Sequence, residues 1–197
     1  MDWQRLEQQV AFILEIDRLK TVYRRTYLTD TSRFENSAEH SWHISVMAML
    51  LAEHARTPEV DQLRVIKMLL IHDLVEIDAG DTFAYDRAAH ADKEAREKAA
   101  ADRLFGLLPA DQAAEFRGLW DEFESRQTPE AKFAAALDRL QPLLHNLYTH
   151  GRSWREHGVR KSQVVALNRR MAEGASELWA YAEKWLEKAV AEGDLAE

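Results

Sequence analysis

The chain has 197 residues, 46% hydrophobic and 30% charged, with 7 Gly, 4 Pro, no Cys and a formal net charge of -8. Such a composition describes one soluble, helix-rich domain over residues 1–197, large enough to bury a core. The acidic balance argues against a broad nucleic-acid or anionic-membrane surface, and the missing Cys excludes disulfides, thiolate zinc sites and cysteine nucleophiles.

The first residues, Met1 to Glu7, contain acids and no apolar run, so they do not form a signal peptide. The longest purely apolar run, Val46 to Ala52, is far too short to cross a bilayer. Cytoplasmic location is the resulting expectation. Residues 3–20 carry Leu6, Val10, Ile13 or Leu14, and Asp17 or Leu19 at helical steps. Lys20 to Glu39 is polar and turn-prone, with Lys20, Arg24, Arg25 and Arg33. In Asn36-Ser37-Ala38-Glu39, Asn36 can cap a helix while Glu39 reaches back, which puts His40 in the first turn.

Thr57-Pro58 reads as a cap with proline at the first helical position. The predicted helix runs through His72, Asp73 and Glu76 and stops near Ala79-Gly80. Its surroundings, Leu69-Leu70-Ile71 and Leu74-Val75, are apolar on most sides, so the helix is buried. At about 100° per residue, Glu76 lies about 40° round from His72 and Asp73 about 100° round, on one arc. Burying an imidazole and two carboxylates together costs several kcal/mol unless something pairs with them. A divalent cation is one such partner; a core His bonded to a carboxylate, with Glu76 solvated, is the plainer reading.

Asp81 to Ala91 reads as a loop at the rim of any pocket, followed by a charged helix over about 92–105 that ends at Gly106. Pro109 starts another, to about Glu124. Thr128-Pro129-Glu130 launches a helix containing Asp138, and Pro142 inside it cannot bond the Asp138 carbonyl, which predicts a bend there. Gly151 to Gly158 reads as a loop. A last helix over about 160–191 bears Leu178, Ala182, Trp185 and Ala189 on one side, an apolar stripe that fits a homodimer or higher oligomer and equally fits packing against its own domain. No strand-like alternation stands out. The expected fold is all-α.

His40, His72, Asp73 and Asp138 fall on three predicted helices and fit one site. Around them stand Ser-Ala-Glu-His-Ser at 37–41, His-Asp-x-x-Glu at 72–76, Gly-Asp at 80–81 and Ala-Leu-Asp-Arg-Leu-Gln-Pro at 136–142. In this order the runs resemble the HD-domain metal-dependent phosphohydrolases, and within them the short nucleoside 5'-monophosphate hydrolases (5'-deoxynucleotidase-like), over roughly residues 10–165. The resemblance implies a single-domain HD-type helical bundle with a metal-site core at about 36–150. It implies a phosphomonoesterase that turns (deoxy)nucleoside 5'-monophosphates into nucleoside and phosphate. His40, His72, Asp73 and Asp138 become the metal ligands. Glu76 becomes a proton-transfer group or a ligand of a second cation, and Asp81 lies near the sugar or that cation. Arg24 and Arg33 become phosphate-binding residues. Arg25 stands where the pattern places an aromatic side chain against the sugar.

Two neutral imidazoles and two carboxylates suit Mn, Co, Fe, Ni or Mg and leave positions open for water and a phosphate oxygen. The implied partner is a small-molecule nucleotide, with no nucleic acid and no membrane. Two rivals stand beside this reading. A second-messenger phosphodiesterase or pyrophosphohydrolase is opposed by Ile77, where guanosine polyphosphate hydrolases continue with Asp, and by the lack of further paired His. A non-catalytic helical binding protein is opposed by the complete ligand set. Of the other histidines, His43 reads as a core edge, His145 and His150 as packed or exposed, and His54, His90 and His157 as surface residues.

Overall fold

The computed structural model describes residues 3–86 and 91–197; His90 lies outside them. Helix α1 (Trp3–Ile16) leads through a 3-10 turn into a hairpin of β1 (Tyr23–Tyr27) and β2 (Phe34–Asn36). There follow α2 (Ser37–Leu51), α3 (Gln62–Ile71), a 3-10 turn His72–Val75, and α4 (Glu76–Ala79). The rest comprises α5 (Lys93–Phe105), α6 (Ala110–Ser125), α7 (Pro129–Tyr148), α8 (Arg152–Glu156), α9 (Lys161–Asn168) and α10 (Ser176–Ala191). The fold is helical, as expected. No helix among the described residues is long and apolar enough to cross a membrane.

The core is built around α7. Phe133, Ala134, Ala136, Leu137 and Leu140 are buried against α2, α3, α6 and α10, which supply Ile44, Met68, Leu69, Trp120, Phe123 and Leu186. Thr128 caps α7, accepting from the Ala131 amide at 3.1 Å, with Pro129 at the first helical position. Pro142 lies inside one unbroken helix.

Four local expectations are corrected. The segment 20–39 holds an antiparallel hairpin, Tyr23 opposite Asn36 and Tyr27 opposite Phe34, with an irregularity between them. Strands this short leave almost no alternation to read. Helix α3 starts at Gln62 rather than at Pro58. Glu59 takes a left-handed conformation, which breaks any helix there, and Asp61 accepts from the Arg64 amide at 3.0 Å as the cap.

The supposed loop 151–158 contains α8, entered through Gly151 at φ +65°; a Cβ there would lie 1.8 Å from the Asp194 carbonyl oxygen. The last helix is broken into α9, a 3-10 turn Arg169–Glu173, and α10. Gly174 brings this break against α7, where a Cβ would lie 2.1 Å from the Lys132 carbonyl oxygen. The stripe that suggested a dimer packs inside the domain. Leu178, Ala182 and Ala189 are buried and Trp185 is partly covered.

The helix carrying His72 also changes character. At His72 it tightens to 3-10 and then resumes for one turn, ending at Gly80 with φ +75°. Residues three apart nearly eclipse in a 3-10 turn. Asp73 and Glu76 therefore stand closer in register than an α-helix would place them.

Candidate metal centre and cleft

His40 owes its position to the start of α2. Asn36 accepts from the Glu39 amide at 2.9 Å, and Glu39 accepts from the Asn36 amide at 3.2 Å. This reciprocal cap fixes the first turn on which His40 sits, 0% exposed. His72 and Asp73 come from the 3-10 turn, and Asp138 from the middle of α7.

Their donor atoms converge. His40 Nε2 is 3.1 Å from Asp138 Oδ1, which is 3.8 Å from His72 Nε2; His72 Nε2 is 3.0 Å from Asp73 Oδ1. His40, His72 and Asp73 each offer a ligand atom, all within 4.8 Å of one another.

The far sides of the rings set their tautomers. His72 Nδ1 donates to the Leu69 carbonyl at 2.8 Å, so Nε2 keeps a lone pair; it is buried without a hydrogen-bond partner. His40 Nδ1 lies 3.1 Å from Gln141 Oε1 and donates to it. The Gln141 amide is itself oriented by its neighbours. His145 Nδ1 faces the Tyr27 carbonyl at 3.0 Å and must donate there, which leaves His145 Nε2 as an acceptor 3.1 Å from Gln141 Nε2. Gln141 Nε2 also donates to Glu35 Oε1 at 2.6 Å. A backbone carbonyl of the hairpin thus determines, through two side chains, that His40 turns a bare Nε2 toward Asp138.

Two bare nitrogens and two carboxylates therefore face one point. Lone pairs about 3 Å apart repel unless a proton or a cation lies between them. Without a metal, burial disfavours charged imidazole, yet Asp73 and Asp138 outweigh it and hold His72 well above the ordinary histidine value. Burial opposes the ionised form of Asp138 too, yet in the metal-free protein the protonated imidazoles of His40 and His72 beside it hold it well below the usual carboxylate range. Asp73, likewise buried, is held down to about 2 by His72 and Arg24. The point demands positive charge, and this N/O donor set fits a divalent cation.

Arg24, from β1, holds the other side of Asp73, Nη1 to Oδ2 at 2.8 Å, and its Nε lies 3.7 Å from Glu35 Oε2. Arg33 is not brought here. It turns outward and pairs with Glu39 at 2.6 Å. Glu76 is buried, accepting from Ser37 Oγ at 2.6 Å, and burial followed by the Asp73 charge pushes it well above the usual carboxylate range. Asp81 is raised as well, chiefly by burial.

A cleft with about 910 Å³ of empty space, its open mouth included, runs from these groups past Arg25, Phe83, Tyr85 and Trp154 to Asn146 and Asn168. Lys93 and Arg139 also line it; neither carries a role in the sequence reading, which takes 92–105 only as a charged helix. Gln141 and Glu35 were missed as well, although Gln141 lies in the run quoted for Asp138, three residues on and on the same face. His43 and His145 gather with Glu35 into a second group able to hold a cation. The Gln141 amide occupies that place, with His43 Nδ1 at 3.3 Å.

The family model described as HD domain matches residues 16–179. The 5'-deoxynucleotidase HDDC2 of Xenopus laevis is 33% identical over 139 residues, covering 70% of this chain and 67% of that protein. The human protein of the same name is 30% identical over 136 residues, covering 68% and 65%. The crystal structure of a predicted metal-dependent phosphohydrolase from Magnetospirillum magnetotacticum MS-1 is 57% identical, with a TM-score of 0.93 over 98% of this chain and 96% of that one. An HD-domain phosphohydrolase from Listeria innocua, 18% identical with a TM-score of 0.60 over 93% and 86%, shares the fold. With its ordered His and Asp residues inside the matched span, the chain belongs to the HD-domain family.

Proposed function

We propose that the protein is a metal-dependent phosphomonoesterase that hydrolyses (deoxy)nucleoside 5'-monophosphates to nucleoside and phosphate. The carrying observation is the convergence of three buried acceptors and the part-buried Asp138 beside the cleft that Asp73 and Asp138 line, two of the four being imidazoles with their tautomers set from behind. The relatives named as 5'-deoxynucleotidases support the substrate class.

His40, His72, Asp73 and Asp138 hold the cation, with Mn, Co, Fe, Ni and Mg the candidates. When bound, it supplies an acidified water and charge for the phosphoryl oxygens. Arg24 locks Asp73 so that Oδ1 faces inward. Glu76, reached by Ser37, stands where a proton is passed to the leaving alkoxide oxygen or taken from the attacking water; a second cation between Glu76 and Asp81 is the other way to relieve two buried acids. The wall of α7 from Asp138 to Asn146 rises about 12 Å, at about 1.5 Å per residue, enough to lie alongside a mononucleotide. Phe83 and Tyr85 offer apolar faces to its sugar or base.

A panel of 5'-monophosphates, cyclic nucleotides and guanosine polyphosphates, with phosphate release followed in Mn or Co, tests the reading. Release from monophosphates that stops with a chelator is the expected result. Turnover confined to the other two classes would overturn it.

A further inference from the structure

Lys132, Ala135 and Arg139 lie on one stripe of α7, at steps of three and four residues. Across a small pocket they meet Arg126, at the left-handed end of α6, and Arg170 of the 3-10 turn. The remaining lining is Leu167, Met171 and Glu173. Four cations thus share a pocket with one carboxylate, in a chain whose net charge is -8.

That carboxylate is committed: Glu173 bonds Arg170 at 3.0 Å. Arg126 and Lys132 have no side-chain hydrogen bond or ion pair among the described residues, and Arg126 Nε is buried without a partner. Among the described residues Arg139 has only Asp138 Oδ2, 3.9 Å from its Nε. Like charges gathered in a half-covered pocket repel one another, and a bound anion relieves that repulsion. The pocket is rigid on one side, because Gly174 lays the end of the 3-10 turn directly on the α7 backbone at Lys132. Its empty space, open solvent included, is about 330 Å³. Guanidinium groups pair with phosphate through two parallel hydrogen bonds.

We propose that Arg126, Lys132, Arg139 and Arg170 form a second anion site, which takes a phosphoryl group. None of its four cations is a metal ligand, but Arg139 stands beside the ligand Asp138, and the site is joined to the cleft, since Arg139 and Leu167 line both. The site goes beyond the hydrolysis reading and does not depend on it. Its ligand is either free phosphate or a second phosphoryl group on a nucleotide lying in the cleft.

The test is calorimetric titration of the metal-loaded full chain with inorganic phosphate at constant ionic strength, for the parent and for Lys132→Gln/Arg170→Gln. Both positions are at least partly exposed, and single Lys132→Gln stands in if the double variant melts early. The parent should show a phosphate equivalent that the variant binds about tenfold or more weakly, the effect of losing charge-assisted hydrogen bonds. An unchanged isotherm overturns the site. Among supporting outcomes, a rise in KM for a nucleoside 3',5'-bisphosphate, with none for the monophosphate, assigns the site to substrate. A weakened phosphate equivalent with both KM values unchanged assigns it to free phosphate. Absence of turnover on every nucleotide would remove the hydrolysis reading and leave the isotherm to decide this one.

Discussion

Gln141 Oε1 lies 3.1 Å from His40 Nδ1, and this contact selects the ring nitrogen that faces Asp138. Gln141 is itself 0% exposed. Gln141→Leu should remove the acceptor and leave Glu35 and His145 without their shared donor. Losing an outer partner of a metal-binding His weakens the metal by about 10–100-fold. Unpaired buried groups should lower stability by about 1–3 kcal/mol as well. Metal titration and denaturant melts check both effects; parental metal affinity would show that His40 needs no such orientation.

Removing metal should destabilise the parent. A cation bound only by the native state contributes about 2.7 kcal/mol at a free concentration of 100 Kd. Its loss returns four converging acceptors to mutual repulsion, relieved by proton uptake at His40 and His72. A melting temperature that does not respond to chelation, followed by return of Mn, would count against the assigned ligands. His72→Ala should show a much smaller response to added Mn than the parent.

What was legible in the sequence is what short-range chemistry writes. The reciprocal cap at Asn36 and Glu39 and the Thr128-Pro129 start are local devices, and both helices begin where those residues place them. His40, His72, Asp73 and Asp138 were nameable as a set, and the structure brings them together. The illegible parts depend on distant partners. The break at Gly174 exists because that backbone packs on Lys132, 42 positions earlier and on another helix. Gln141 has no motif of its own; its role arises from Glu35, His40 and His145 meeting around it. Arg24 and Arg33 look alike in the chain, yet one alternates inward from β1 and the other turns out to Glu39.

That difference predicts unequal mutants. Arg33→Ala should leave kcat/KM within a few fold of the parent, because its exposed pair with Glu39 is screened by solvent and lies outside the cleft. Arg24→Ala strips Asp73 and Glu35 of their buried cation; breaking a buried pair costs about 3–5 kcal/mol. It should also lower metal occupancy. Steady-state kinetics at saturating Mn, with metal analysis of the same samples, checks the contrast. A large kinetic loss in Arg33→Ala would restore that residue to the site.

Glu76 carries the last prediction. It is buried, three residues after Asp73 and nearly eclipsed with it by the 3-10 turn, and among the described residues its carboxylate has one hydrogen bond, from Ser37 Oγ at 2.6 Å. Burial and the Asp73 charge both favour the neutral acid, while Arg24 opposes them less strongly. A carboxyl group pushed toward its neutral form suits donation to a leaving alcohol. Glu76→Gln keeps the shape and removes the proton, so metal content and nucleotide binding should stay near parental values. Its kcat should fall about 10²–10⁴-fold, the contribution of a positioned acid or base. If Glu76 instead holds a second cation with Asp81, the same variant should lose about one metal equivalent. The two outcomes separate when stoichiometry and kcat are measured on one preparation. A variant with near-parental turnover would take Glu76 out of the chemistry and leave it as the buried partner of Ser37.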